Sequence, residues 1–69
     1  MTAVELTAVD LLTELARRLR KREEADVALG AQRLSLDIDS ARAALMRAAT
    51  LHVIAEEIEY LVQDLRGPL

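Results

Sequence analysis

The sequence predicts an all-α fold: an antiparallel two-helix hairpin, with two hairpins dimerising into a four-helix bundle. Three observations carry this expectation. Leu (13) and Ala (12), both strong helix formers, supply 25 of the 69 residues. Glycine occurs twice and proline once, at Gly30, Gly67 and Pro68, so helix breakers are nearly absent from the interior. Apolar residues recur at helical spacing on both sides of one short polar segment, as amphipathic helices require.

Helix 1 is expected over about residues 2–29. Thr2 and Glu5 form the capping box T-x-x-E, with Met1 and Leu6 at the positions of a hydrophobic staple. Val4, Ala8, Leu11, Leu12, Leu15 and Leu19 fall within about a third of the helix circumference. Val9 and Ala16 widen that stripe on one side. The pattern weakens after Leu19, where Arg22 and Asp26 take the same angular position. Gly30 is the expected stop, by a left-handed cap.

Residues 30–37 are read as a connector. Leu34 to Asp39 alternates apolar and polar residues, a strand signal, while Leu34, Ile38, Ala41 and Leu45 also fit a helix. Strand, loop and helix all stay open for this segment. A connector is favoured because a lone strand has no partner within the chain, with a cap for the next helix at Asp37 or Asp39.

Helix 2 is expected over about residues 38–66, with Gly67-Pro68 ending it. Its stripe reads Ile38, Ala41, Leu45, Ala48, Leu51, Ala55, Ile58, Val62 and Leu65. The steps alternate three and four except for one short step at Leu51, a stammer in coiled-coil terms. Ile54 and Leu61 broaden the stripe toward the C-terminus.

Size argues for association. A chain this short buries only about 60% of its unfolded surface, and small proteins close that deficit with disulfides, metals or partners. There is no cysteine, which leaves partners. Tyr60 is the only aromatic residue, and bundles manage with Leu, Ile, Val and Ala. In an isolated hairpin the flanks, Val9 and Ala16 on helix 1 and Ile54 and Leu61 on helix 2, are expected to face water. Ala41, Ala43, Ala44, Ala48 and Ala49 are expected to allow close helix approach at one level. A homodimer is therefore expected, or a complex with a second helical protein. Its interface residues are Leu11, Leu12, Leu15, Leu19, Leu45, Leu51, Ile54, Ile58, Leu61 and Leu65.

Charge narrows the function classes. With 52% apolar residues, 30% charged residues and a net charge of −3, the chain is globular in composition. The run Arg17-Arg18-Leu19-Arg20-Lys21-Arg22 is a candidate partner contact, together with Leu34 and Leu36 in the connector. Its charges point around most of the helix, and Glu14, Glu24 and Asp26 stand four residues from Arg18, Arg20 and Arg22. The alternative function, a small nucleic-acid-binding or transcription-associated dimer using this run, lacks an aromatic residue nearby to stack on bases. The acidic cluster Glu56, Glu57, Glu59 and Asp64 is expected to sit offset from the basic run within the chain, and is free to meet it between chains.

His52, Glu56 and Glu59 share a helix face as metal ligands can. The carboxylate-bundle pattern also needs Glu three residues before His, and Ala49 stands there. No metal or cofactor is expected. No glycine-rich phosphate loop occurs, and the hydroxyl of Thr50 lies on a different helix face from His52. The chain is expected to be no enzyme but a non-catalytic interaction module: an adaptor, inhibitor, antitoxin-like or accessory subunit. The longest uncharged stretch, Ala48 to Ala55, is far short of a membrane span. The acidic opening resembles no signal peptide, so a cytoplasmic location is expected.

Overall fold

The computed structural model describes residues 2–67. Helix α1 spans Ala3–Arg33 and helix α2 spans Ile38–Arg66. The two pack antiparallel as a hairpin of 51 × 16 × 15 Å. The described residues contain no strand. Met1 lies outside them, and with it the expected staple to Leu6; Pro68 lies outside as well.

Each helix end has a local cause. Thr2 stays extended and its hydroxyl oxygen accepts the Glu5 N–H at 3.2 Å. The return arm of the capping box is changed: the Thr2 hydroxyl donates to the Glu5 carboxylate at 3.1 Å. At α2 the cap is Asp37, whose carboxylate accepts the N–H groups of Asp39 at 3.1 Å and Ser40 at 3.2 Å. The connector is a tight turn in which the Arg33 carbonyl accepts from Leu36 and Asp37 at 3.0 and 2.9 Å. That closure, not β pairing, accounts for the alternation around Leu34–Asp39. Gly67 ends α2 with φ of 78°, its N–H donating to the Asp64 carbonyl at 3.1 Å.

Gly30 does not stop α1, which runs one further turn to Arg33. Gly30 is buried inside the helix, and a Cβ there would stand 2.6 Å from Leu45 Cδ2 and 2.7 Å from its Cγ. Its glycine identity serves close approach to α2, not a left-handed cap. The connector shrinks accordingly to residues 34–37.

The contact between the helices mixes alanines and a glycine, most of them toward the turn, with larger apolar residues toward the open end. On α2 it follows Ala41, Ala44, Ala48, Leu51, Ala55, Ile58, Val62 and Leu65, all buried or half-buried, in unbroken steps of three and four. Ala44 takes the place expected for Leu45, which stays 42% exposed, and the expected stammer disappears with that exchange. On α1 it follows Val9, Leu12, Ala16, Leu19, Glu23, Asp26 and Gly30 in the same rhythm. Val9 and Ala16, expected on a water-facing flank, are therefore core. Of the five clustered alanines, Ala41, Ala44 and Ala48 are buried while Ala43 and Ala49 are exposed. Near the turn the contact selects small side chains, which leaves Leu45 outside it.

Gly30→Ala tests the close approach. Unfolding by denaturant should show a loss of about 1–3 kcal/mol from overpacking against Leu45. In a Leu45→Ala background the same change should instead gain up to about 1 kcal/mol from helix propensity.

Candidate interaction surface

The hairpin has two unlike sides, and its ion pairs and grooves show which residues share each. Arg20 donates to Glu59 at 2.6 and 3.1 Å and to Glu23 at 2.8 Å. The His52 Nδ1 atom lies 2.9 Å from an Arg20 nitrogen and 3.0 Å from Glu23, and Nε2 lies 3.1 Å from Glu56. A groove lined by Thr13, Arg17, Arg20, Glu59, Val62 and Arg66 continues this polar side.

Arg20 and Glu59 thus meet within one chain, contrary to the offset expected from sequence. Long side chains crossing a seam of small residues close that gap. The Arg20 hydrogen bonds hold the Glu23 and Glu59 carboxyls below their ordinary range. In return the carboxylates, Glu59 first, hold the guanidinium more firmly charged. Glu14 is lowered by its hydrogen bond to Arg17 and also pairs with Arg18 at 3.2 Å.

The other side is apolar toward the open end of the hairpin, opposite the turn. On α1, Val4, Leu11, Leu15, Arg18 and Arg22 follow one another at helical spacing; on α2, Arg47, Ile54 and Leu61 repeat every seven residues. Arg22 and Arg47 line one groove with Asp26, Met46, Thr50 and Leu51, which places the two rows on the same side. Near the open end the rows present Leu11 at 68%, Ile54 at 44% and Leu61 at 48% exposure. Toward the turn they become basic, with Arg47 paired to Asp26 at 3.3 Å. One side of the molecule is therefore half grease and half arginine.

The residues expected at an interface divide accordingly. Leu19 is buried, and Leu12, Leu51, Ile58 and Leu65 are half-buried against the facing helix. Leu11, Leu15, Leu45, Ile54 and Leu61 are exposed. Leu34 and Leu36 stand out at the turn, Leu36 at 80% exposure. The basic run is split between faces: Arg17 and Arg20 line the polar groove, Arg18 and Arg22 continue the apolar row, and Lys21 is exposed. The pairs expected between Arg20 and Glu24 and between Arg22 and Asp26 are replaced by Arg20–Glu23 and Arg47–Asp26. Among the described residues no acidic or histidine cluster is arranged to hold a metal ion, and no helix is long and apolar enough to cross a membrane. Sequence reasoning missed Glu23 and Arg47. Glu23 stands seven residues from both Ala16 and Gly30, the heptad signal that assigns it to the seam.

Carboxyls lowered by folding contribute stability that is present above their unfolded value of 4.5 and is lost as pH falls through the lower folded values. Helicity followed by circular dichroism in moderate denaturant should therefore decline below pH 4.5. Arg20→Gln should flatten that decline. The chain matches no family model, no curated protein and no solved structure.

Proposed function

We propose that this chain is a non-catalytic protein-interaction module whose two copies pair through the apolar side of the hairpin into a four-helix bundle. One observation carries the reading: Leu11, Leu15, Ile54 and Leu61 are exposed in rows at helical spacing on one side of the two helices, while alanine and glycine fill much of the contact inside the chain toward the turn. A contiguous apolar patch of this kind marks an interaction site. The polar side supports the same view, because its charges are matched by partners in the same chain.

An adaptor, inhibitor or accessory role fits a module that recognises by packing. Its candidate contacts for a second protein lie toward the turn, at Leu34, Leu36 and the arginines of the apolar side. The basic run is divided between faces, and Arg17, Arg18 and Arg20 are held by Glu14, Glu23 and Glu59. That division favours a protein partner over a phosphate backbone, which rewards a continuous basic track.

Sedimentation at micromolar concentration should give twice the chain mass of 7.6 kDa. Leu61→Glu should shift the equilibrium to the monomer by at least tenfold, because an unpaired charge is then forced into the contact. A compact wild-type monomer at that concentration would contradict the reading.

A further inference from the structure

The outer surface of α2 beside the turn carries a groove that the proposed pairing leaves open. Ile38, Arg42, Leu45 and Ala49 follow one another along it, with Leu34 at its head and Met46 alongside. At 3.6 residues per turn, Ala49 stands about 120° around α2 from Leu61, so the groove lies apart from the side that carries Ile54 and Leu61. Its apolar members are open to water: Leu34, Ile38 and Met46 are 60, 61 and 65% exposed. Leu45 forms one wall, its side chain lying close over Gly30.

The groove is not purely apolar. Arg42 belongs to its lining, and on the far side of Met46 a second groove is lined by Arg22, Arg47 and Asp26. Arg47 is already engaged by Asp26 at 3.3 Å, and Arg17, Arg18 and Arg20 by glutamates. Among the described residues no ion pair engages Arg22 or Arg42. Asp39, three residues before Arg42, is the nearest acid along α2 and forms no ion pair with it. A guanidinium covered by apolar surface alone is a buried charge without a partner, which is costly. Whatever fills this groove must therefore bring acid as well as apolar surface.

We propose that the groove receives an acidic amphipathic helix of a second protein. Apolar side chains of that helix fill the space between Leu34, Ile38, Leu45 and Met46, and carboxylates at its edge take Arg42 and, across Met46, Arg22. The inference rests on the reading of the chain as an interaction module, and it does not require two copies to pair. Ile38 to Ala49 spans roughly 16 Å at 1.5 Å per residue, room for about three turns of a partner helix. Recognition of a helix in a groove works through apolar anchors at that spacing. Met46, unbranched and polarisable, moulds itself to such anchors. Carboxylate on guanidinium makes two parallel hydrogen bonds, so Arg42 decides the sign of the partner while the apolar contact supplies the area. Two arginines on either side of a methionine make no continuous track for a phosphate backbone.

A synthetic helix of about 15 residues, with leucines on one face, glutamates on its flanks and a fluorescein label, probes the groove by anisotropy against the full chain. The control peptide carries lysine in place of every glutamate. The glutamate peptide should bind at micromolar concentration, more weakly as salt rises, and the lysine peptide about tenfold more weakly or worse. Arg42→Glu should reverse that preference, a result that loss of folding cannot imitate. Met46→Ser should weaken binding of the glutamate peptide without changing helicity. Equal affinity for the two peptides, or a preference that Arg42→Glu leaves unaltered, would overturn the proposal. Retention on phosphatidylglycerol vesicles in place of peptide binding would overturn it as well. A chain that sediments as a dimer but binds neither peptide would sink the groove and leave the pairing intact. A monomer that binds the glutamate peptide would support the groove and sink the pairing.

Discussion

Close approach of α1 and α2 is the constraint from which the rest of the structure follows. A Cβ on Gly30 would meet the Leu45 side chain at 2.6 Å, so that side chain would have to shift, and Ala41, Ala44, Ala48 and Ala55 line the same contact with almost no exposed surface. Alanine brings backbones together but returns little: burial yields about 0.8 kcal/mol per CH₂, and an alanine side chain is a single methyl group. The contact thus fixes geometry at modest energetic gain. Many larger apolar side chains stay exposed: Leu11, Leu15, Ile54 and Leu61 on one side, and Val27, Leu45, Met46, Val53 and Tyr60 elsewhere on the hairpin.

Charge completes the asymmetry. Arg20 ties Glu23 on its own helix to Glu59 on the other, and His52 joins the same group. The Arg20–Glu59 and His52 contacts are partly exposed, and exposed pairs contribute little stability. Their role is placement. They hold one side of the hairpin in a polar arrangement, opposite the side that carries Leu11, Leu15, Ile54 and Leu61.

Much of this was legible in the sequence. Two helices, the connector between them, the Thr2 cap and the end at Gly67 follow from local chemistry that acts within a few residues, which also narrows the second cap to Asp37 or Asp39. The C-terminal half of the α2 stripe was legible for the same reason, because Leu51, Ala55, Ile58, Val62 and Leu65 keep heptad spacing. Among the readings that differ from the structure, three turn on size. Gly30 was read as a helix stop when its role is close approach to the facing helix. Leu45 was preferred to Ala44 because it is more apolar, although the contact selects the smaller residue. Val9 and Ala16 were placed outside for the same reason, since the greasiest arc of α1 is not the arc that meets α2. The crossing pair Arg20–Glu59 was out of reach because spacing along one helix carries no information about long side chains spanning two.

Folding and association are one event if the internal contact is as lean as its alanines imply. The direct measurement is thermal unfolding by circular dichroism across a hundredfold range of protein concentration. Coupled folding and pairing predicts a midpoint that rises steadily with concentration, as mass action requires. A midpoint that stays constant over that range would show that the single hairpin is stable by itself, and would contradict the account.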